Sequence, residues 1–248
     1  MQNNYRRLPL VGLHNARELG GWYTPEGVTQ YGVFLRTDMH GNPTAEDIAF
    51  LKDYGVTMDV DLRGASELAH NPDALRDAPW CEYVHMPTVE ETAEGAMDPS
   101  KFHPTPSQSM AEEYIQMSDE RKDWVRGVFE AFGRCTGAAM FHCTLGKDRT
   151  GIISALLLGL CGVADEDIIA DYCVTEVYLH EVFDAIRARM PAEKLAVMEP
   201  LLATKPSSME ALLKHLRETY GGIPAYLRAC GVSDELAALL KARMLGKK

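Results

Sequence analysis

The chain has 248 residues, 46% of them hydrophobic and 25% charged, which is typical of a globular protein with a substantial core. Its net charge of −11 argues against a nucleic-acid partner, because phosphate backbones are bound by clustered lysines and arginines. No apolar stretch is long enough to cross a bilayer and no secretory signal is visible, so we expect a cytoplasmic protein without integral membrane association.

The cysteines argue against a disulfide framework and against a zinc site. Six of them are spread along the chain without a Cys-x-x-C pair, and no His/Cys cluster has zinc-ligand spacing. The sequence therefore predicts reduced thiols, with neither a metal nor a cofactor.

The first part of the chain alternates predicted strands with a predicted helix. Apolar runs at 33–35, 56–62 and 83–86 are typical of short buried strands. Between the first two, Thr44 opens a segment that resembles a capping box, and its helix is expected to stop at Gly55. This order predicts an α/β fold with a parallel-rich sheet flanked by helices.

The second part is predicted to be mostly helical. One helix is expected over 110–132, a short buried strand over 138–142, and helices from Thr150 to Leu245. Breaks are expected at Gly162, Pro191, Pro200, Pro206 and Gly221–Gly222. We expect residues 1–248 to form one domain with a helical C-terminal part. The polar, proline-containing stretch 88–107 is a candidate active-site loop or lid.

The segment from His142 to Gly151 carries the chemistry. It lies between the predicted strand and a helix, where Gly146 allows the unusual backbone angles that turn successive N–H groups toward one anion. The helix dipole adds positive potential, and Arg149 supplies a planar fork for two phosphate oxygens. A thiol at Cys143, beside this loop, is readily ionised. These features predict attack of a thiolate on phosphorus, giving a phosphocysteine that water releases.

Other interpretations of this segment fit less well. A nucleotide-binding loop is excluded, because Phe141 stands where its first glycine is needed and Asp148 follows Lys147. A buried structural cysteine leaves the crowding of polar residues around Cys143 unexplained. The candidates for phosphate or substrate binding are Thr144, Leu145, Gly146, Lys147 and Thr150.

The motif His-Cys-x-x-Gly-Lys-Asp-Arg-Thr-Gly at 142–151 resembles that of the atypical bacterial tyrosine and phosphoinositide phosphatases, also called triple-specificity phosphatases, a group of the Cys-x5-Arg phosphatases. The likeness extends over nearly the whole chain, through the stretches 15–21, 35–38, 61–63 with Glu67, 220–222 and 226–227. It implies a protein-tyrosine-phosphatase-like fold and phosphatase activity.

The resemblance also implies roles for individual residues. Cys143 would be the nucleophile and Arg149 would bind phosphate. Thr150 would assist the thiolate and His142 would brace the loop. Lys147 would contact further anionic groups, which this family associates with acceptance of phosphoinositides.

The general acid remains open between three carboxyl groups. A proton must reach the leaving oxygen, so some carboxyl is needed. The resemblance favours Asp148, with Asp61 at the end of a strand as the second candidate and Asp98 as the third. A scaffold role for Asp61, paired with Arg63, is an equally good interpretation.

We expect phosphotyrosine proteins as the main substrates, with dual specificity toward phosphoserine and phosphothreonine, and with phosphoinositides as a further class. The loop itself would hold phosphate or another oxyanion. One alternative is a phosphatase of small metabolites such as inositol phosphates, which the acidic charge favours over membrane lipids. Another is an inactive phosphate-binding module. Arg17 and Arg36 are expected to be buried ion-pair partners.

Overall fold

The computed structural model describes residues 6–39, 43–88 and 109–247. The strands in this part of the chain are β1 (Arg17–Glu18), β2 (Tyr23–Thr24), β3 (Gly27–Val28), β4 (Phe34–Asp38), β5 (Val56–Asp61), β6 (Glu82–His85) and β7 (Ala138–Cys143). The helices are α1 (Ala45–Tyr54), α2 (Ala65–His70), α3 (Met110–Glu120), α4 (Lys122–Arg134), α5 (Asp148–Leu160), α6 (Asp165–Tyr178), α7 (His180–Arg189), α8 (Ala192–Leu202), α9 (Pro206–Tyr220), α10 (Ile223–Ala229) and α11 (Asp234–Leu245).

Strand β7 is the middle strand of a five-stranded sheet with the order β1-β4-β7-β5-β6. Strands β4, β7, β5 and β6 are parallel, and β1 is antiparallel to β4. The register places Asp38 beside Cys143 and Asp61 beside His142, so the carboxyl ends of three strands meet at one edge. The predicted α/β fold, with a parallel-rich sheet, flanking helices and a helical C-terminal part, is confirmed.

Alternate residues of the central strand face two different apolar layers, as the two-residue period of a strand requires. Ala139 and Phe141 belong to the larger core, which includes residues of α4, α5 and the C-terminal helices. Ala138 and Met140 belong to a second core together with Leu51 of α1. The sheet is covered on both faces, which explains why its strands are near-continuous apolar runs in the sequence.

The ends of α1 are as predicted. The Thr44 side chain accepts a hydrogen bond from the backbone N–H of Asp47, and Gly55 ends the helix at a φ of +94°. The segment 110–132, predicted as one helix, is two helices that break at Arg121, where φ is −114° and ψ is 40°. Apolar spacing does not reveal a break at a residue that is neither glycine nor proline.

Most of the predicted breaks in the C-terminal part are present. Gly162, Pro191, Pro206 and Gly221–Gly222 lie at or next to helix ends. The break expected at Pro200 was wrong, because α8 continues to Leu202. A proline so close to the end of a helix removes only one of its last hydrogen bonds. No helix in the described ranges is long and apolar enough to cross a membrane.

A buried ion cluster joins the sheet to α6. Arg17 Nε lies 3.0 Å from Asp171 Oδ1, and Arg36 Nη1 lies 2.5 Å from Asp171 Oδ2. Burial raises the pKa of Asp171, but the two arginines outweigh that effect and lower it. The prediction that Arg17 and Arg36 are buried ion-pair partners is confirmed, with two cations sharing one carboxylate.

We predict that Asp171→Ala destabilises the fold by about 3–5 kcal/mol, because it leaves two buried guanidinium groups without their counter-ion. The free energy of unfolding in urea measures this loss. The matched control is Asp165→Ala on the same helix, whose carboxylate pairs with Arg217 at an exposed site. That change should cost about 1 kcal/mol or less. Equal losses in the two variants would contradict the role assigned to the cluster.

Candidate active site

The loop between β7 and α5 begins at a buried sulfur. Cys143 is the last residue of β7 and is only 2% exposed, and α5 begins at Asp148. Between them, Gly146 has a φ of +63° and lies against β4. A Cβ at this position would lie 2.1 Å from the carbonyl oxygen of Thr37, so only glycine fits. The local fold therefore requires the glycine that the motif contains.

The carbonyl oxygens of the loop are held from outside. Met39 donates its backbone N–H to Thr144 O at 2.9 Å, and Asn15 Nδ2 donates to Leu145 O at 2.9 Å and Gly146 O at 3.1 Å. Arg36 Nη2 also donates to Gly146 O, at 2.7 Å. In a trans peptide unit the N–H points opposite to the carbonyl. The N–H groups of residues 145, 146 and 147 are thereby turned toward the other side of the loop, as in an anion nest.

Arg149 has part of its guanidinium occupied and part available. Its Nη1 donates to Leu62 O at 3.1 Å and to Glu67 Oε2 at 2.6 Å, and its Nη2 donates to Glu67 Oε1 at 2.7 Å. An arginine has five N–H groups, so the Nε–H and the second Nη2–H remain, and these two lie side by side. The described residues offer them no acceptor. They form a fork that fits two oxygens of one phosphate.

The charge of this fork is secured by its neighbours. Burial lowers the pKa of Arg149, but the hydrogen bonds with Glu67 and the charge of Cys143 outweigh burial and raise it. Burial, and after it the charge of Arg17, lowers the pKa of Arg36 to about 10, and the charge of Cys143 acts in the opposite direction. The sulfur is therefore within electrostatic range of both guanidinium groups.

Glu67 is a site residue that the sequence analysis did not assign. Besides Arg149, its carboxylate accepts hydrogen bonds from Thr144 Oγ1 and, at 2.8 Å, from the backbone N–H of Gly64. Burial raises the pKa of Glu67, yet these bonds outweigh it and lower the pKa to about 2. Glu67 is the third residue of α2 and accepts from the N–H of the N-cap residue Gly64, which is the one half of a capping box that a glycine allows.

His142 lies fully buried behind the loop among carboxylates. Its Nε2 is 3.3 Å from Asp59 Oδ1 and 3.2 Å from Asp73 Oδ2. Burial lowers the pKa of His142, but the neighbouring carboxylates outweigh it and raise the pKa well above its usual value. Burial raises the pKa of Asp59 to about 7. His142 is thus an imidazolium among carboxylates, on the face of β7 opposite to the Cys143 side chain, and its Nδ1 lies 3.3 Å from the backbone oxygen of Cys143.

Among the described residues, these same side chains form the group that could hold a metal. The ligand atoms of Asp59, Asp73 and His142 lie within 4.8 Å of one another. They come from three separate segments, so spacing along the sequence could not reveal the cluster. The guanidinium of Arg63 lies 3.3 Å from Asp73 and would repel a cation, and the imidazolium of His142 already neutralises the acids. The expected absence of a metal stays a prediction.

Asp61, the second candidate acid, is taken up by Arg63. Its carboxylate accepts from Arg63 Nη2 at 2.7 Å, from the Arg63 backbone N–H at 2.9 Å and from Tyr83 Oη at 3.0 Å. Burial raises its pKa, but His142 and Arg63 outweigh burial and lower it. The carboxyl is fully buried and held in its charged form. This is the pairing that the scaffold interpretation anticipated.

Asp148, the first candidate, is placed differently. Its side chain is 32% exposed, and its Oδ1 accepts a hydrogen bond of 2.5 Å from Tyr114 Oη. Lys147 is fully buried, with Nζ 3.5 Å from the same Oδ1 and 3.3 Å from Ala203 O. Thr150 is also buried, and its Oγ1 has no hydrogen-bond partner among the described residues. Asp148 is thus a partly exposed carboxyl at the first residue of α5, directly after the loop.

Three further predictions concern Leu145, Asp98 and the stretch 88–107. Leu145 packs against an apolar cluster formed by Leu179, Val182, Phe183 and Leu202 of the helical part. Asp98, the third candidate acid, lies outside the described residues. The same holds for the proposed lid 88–107 apart from Thr88, so both stay predictions.

Comparison with known proteins identifies the family. The profile of the tyrosine phosphatase family matches residues 8–246. A tyrosine-protein phosphatase of Nostoc commune is 32% identical over 223 residues, covering 86% of this chain and 74% of that protein. A Cupriavidus necator protein, provisionally named a tyrosine-protein phosphatase, is 32% identical over 87% of this chain and 81% of its own.

A more distant relative is the triple specificity protein phosphatase PtpB of Mycobacterium tuberculosis. It is 23% identical over 242 residues, covering 80% of this chain and 85% of PtpB. The family profile extends over the β7–α5 loop as well as over the sheet and the C-terminal helices. The chain belongs to the tyrosine phosphatase family and is a phosphatase.

Proposed function

We propose that the chain is a cysteine-dependent phosphomonoesterase that acts through a phosphocysteine, with phosphotyrosine as its main substrate. The observation that carries this proposal is the convergence at one loop of three kinds of group. They are the Cys143 sulfur at the end of the central strand, the N–H groups of residues 145–147, and the open fork of Arg149.

The loop binds the phosphate by its three non-bridging oxygens. The N–H groups and the fork oppose the negative charge that develops there during phosphoryl transfer. The Cys143 thiolate then forms the S–P bond while the bond from phosphorus to the leaving oxygen breaks. Arg36 and Arg149 are the two guanidinium groups whose charges interact with that of the sulfur. Thr150 Oγ1, buried and without a partner among the described residues, is a hydroxyl that could donate to it.

Asp148 supplies the proton to the leaving oxygen. It is a partly exposed carboxyl next to Arg149 in the chain, whereas Asp61 is buried and fixed in its charged form by Arg63. In the second step Asp148 takes a proton from a water molecule, whose oxygen attacks phosphorus as the S–P bond breaks. Inorganic phosphate and the free thiolate result, so Asp148 is protonated again for the next cycle.

We also propose substrates other than phosphotyrosine. The relative PtpB is named a triple specificity protein phosphatase, which supports more than one class of substrate, and we propose phosphoserine, phosphothreonine and phosphoinositides as the further classes. The net charge of −11 favours small phosphorylated metabolites over an anionic bilayer as substrates. A substrate panel should therefore include such metabolites. A panel of phosphotyrosine, phosphoserine, inositol phosphate and phosphoinositide vesicles, compared by kcat/KM, ranks them. A cytoplasmic location stays a prediction.

We predict that Cys143→Ser abolishes turnover but keeps phosphate binding, because the loop and the fork of Arg149 are unchanged. Turnover of a phosphotyrosine peptide and calorimetric titration with phosphate measure the two properties. Cys173→Ser, a half-buried thiol on α6, is the control and should keep its activity. Turnover above a few per cent in Cys143→Ser would overturn the covalent mechanism, and loss of activity in both variants would point to the fold instead.

We predict that Asp148→Asn lowers kcat/KM for phenyl phosphate about 10²- to 10⁴-fold, the usual value of a positioned proton transfer. For dinitrophenyl phosphate, whose leaving group departs without a proton, kcat/KM should fall much less. Asp61→Asn, checked for folding, should show no such dependence on the leaving group. If Asp61→Asn shows the dependence and Asp148→Asn slows both substrates equally, the roles of the two carboxyls are reversed.

We predict that Glu67→Gln lowers kcat/KM about 10- to 100-fold, because the fork of Arg149 loses its bidentate anchor and a small misplacement costs that much. Steady-state kinetics with a phosphotyrosine peptide measures the change. The control is Asp47→Asn, which removes the corresponding charge from the capping box of α1, away from the loop. Unchanged kinetics in Glu67→Gln would show that Arg149 is positioned by other groups.

A further inference from the structure

Two buried tyrosines stand in line behind Asp148. Tyr114 of α3 is fully buried and its hydroxyl donates to Asp148 Oδ1 at 2.5 Å. The hydroxyl of Tyr172, on α6, lies 2.8 Å from that of Tyr114, and the rings meet edge to face with centroids 6.0 Å apart. The hydroxyls therefore form a chain that starts in the core and ends on the carboxyl group.

The direction of this chain follows from counting protons. A phenol has one proton to donate. Because the Tyr114 hydroxyl donates its hydrogen bond to Asp148, it can only accept from Tyr172, so Tyr172 is the donor in the second bond. Burial, and after it the charge of Asp148, raises the pKa of both phenols, so both stay protonated across the working range.

The chain distinguishes the two oxygens of Asp148. Oδ1 accepts from Tyr114 and lies 3.5 Å from Lys147 Nζ. No described residue donates to Oδ2. An oxygen that already accepts a strong hydrogen bond is the poorer place for a proton, so a protonated Asp148 carries its proton on Oδ2. A carboxyl that rotated freely would offer this proton in many directions.

We propose that Tyr114, supported by Tyr172, is a positioning residue that fixes the Asp148 carboxyl with its proton on Oδ2, facing the leaving oxygen. This inference rests on the proposed role of Asp148 as the general acid. During the cycle only the Oδ2 proton moves, first to the leaving oxygen and later back from water, while the tyrosines keep theirs. The same two hydroxyls, if they served packing alone, would affect stability but not the sensitivity to the leaving group.

The test compares Tyr114→Phe with the wild type on two substrates. With phenyl phosphate, whose leaving group needs a proton, kcat/KM should fall about 10- to 100-fold, the effect of losing a hydrogen bond to a charged group that positions a reacting one. With dinitrophenyl phosphate kcat/KM should change little, because this ratio reports the steps up to departure of the leaving group, before Asp148 acts on water. Tyr172→Phe should show the same pattern with a smaller loss, because Tyr114 still donates to Asp148.

The control is Tyr226→Phe. Tyr226 is also fully buried and its hydroxyl donates to α3, at the carbonyl of Ser118, 2.7 Å away, without any contact with Asp148. It should cost comparable stability and leave the ratio of the two kcat/KM values unchanged. An equal fall in kcat/KM on both substrates in Tyr114→Phe would overturn the proposal.

A double variant separates this inference from the role of Asp148. If Tyr114 acts through Asp148, then Tyr114→Phe should have no further effect on kcat in the Asp148→Asn background. Additive effects would contradict the proposal even if Asp148→Asn behaves as a lost acid. If instead Asp148→Asn shows no dependence on the leaving group, the assignment of the acid fails first and the positioning role falls with it.

Discussion

The orientation of the peptide units around Gly146 is the constraint on which the site depends. Asn15 and Arg36 hold the carbonyl of Gly146 from one side, so the following N–H must face the other. Because these anchors are the protein's own side chains, the fold itself fixes the direction of the N–H groups, which is the condition under which dipoles stabilise a transition state without reorganising. Arg36 is itself fixed by Asp171, a residue far from the loop in the chain.

The cations around the loop share one design. In each pair a carboxylate binds some N–H groups of a guanidinium and leaves other N–H groups for a second partner. Asp171 holds Arg36, which braces the loop, and Glu67 holds Arg149, which keeps a fork open. Both pairs are at least partly buried, where an arginine without a partner would be costly. Specific placement of the positive charge is what these pairs contribute, more than net stability.

The sequence predicted those parts of the site that are continuous along the chain. Cys143, Gly146 and Arg149 fall within one strand–loop–helix unit, so their spacing carries their geometry. The alternation of apolar runs and caps likewise predicted the sheet, because buried parallel strands have a strong local signature. Partners from distant segments escaped prediction. Glu67 and Tyr114 meet the loop only through tertiary packing, which no local spacing encodes.

For Asp61 the sequence predicted a possible local partner but not the burial of the carboxyl group. The pairing of Asp61 with Arg63, two positions apart, was anticipated as one of two readings, because both residues are local. Its fully buried setting, which fixes the charge, came only from the packing of β5 against its neighbours.

The break at Arg121 and the continuous helix at Pro200 were missed because helix ends depend on packing as much as on residue type.

The anchors of the loop's carbonyl groups have a consequence for folding. They come from residues 15, 36 and 39, more than a hundred positions before the loop in the chain. The anion nest therefore cannot exist in a partly folded chain that has lost these long-range contacts. Under the proposed function a free oxyanion would bind the native state alone and shift the unfolding equilibrium by mass action. At concentrations above its Kd, phosphate in the surrounding medium would then stabilise this protein in proportion to the logarithm of the phosphate concentration.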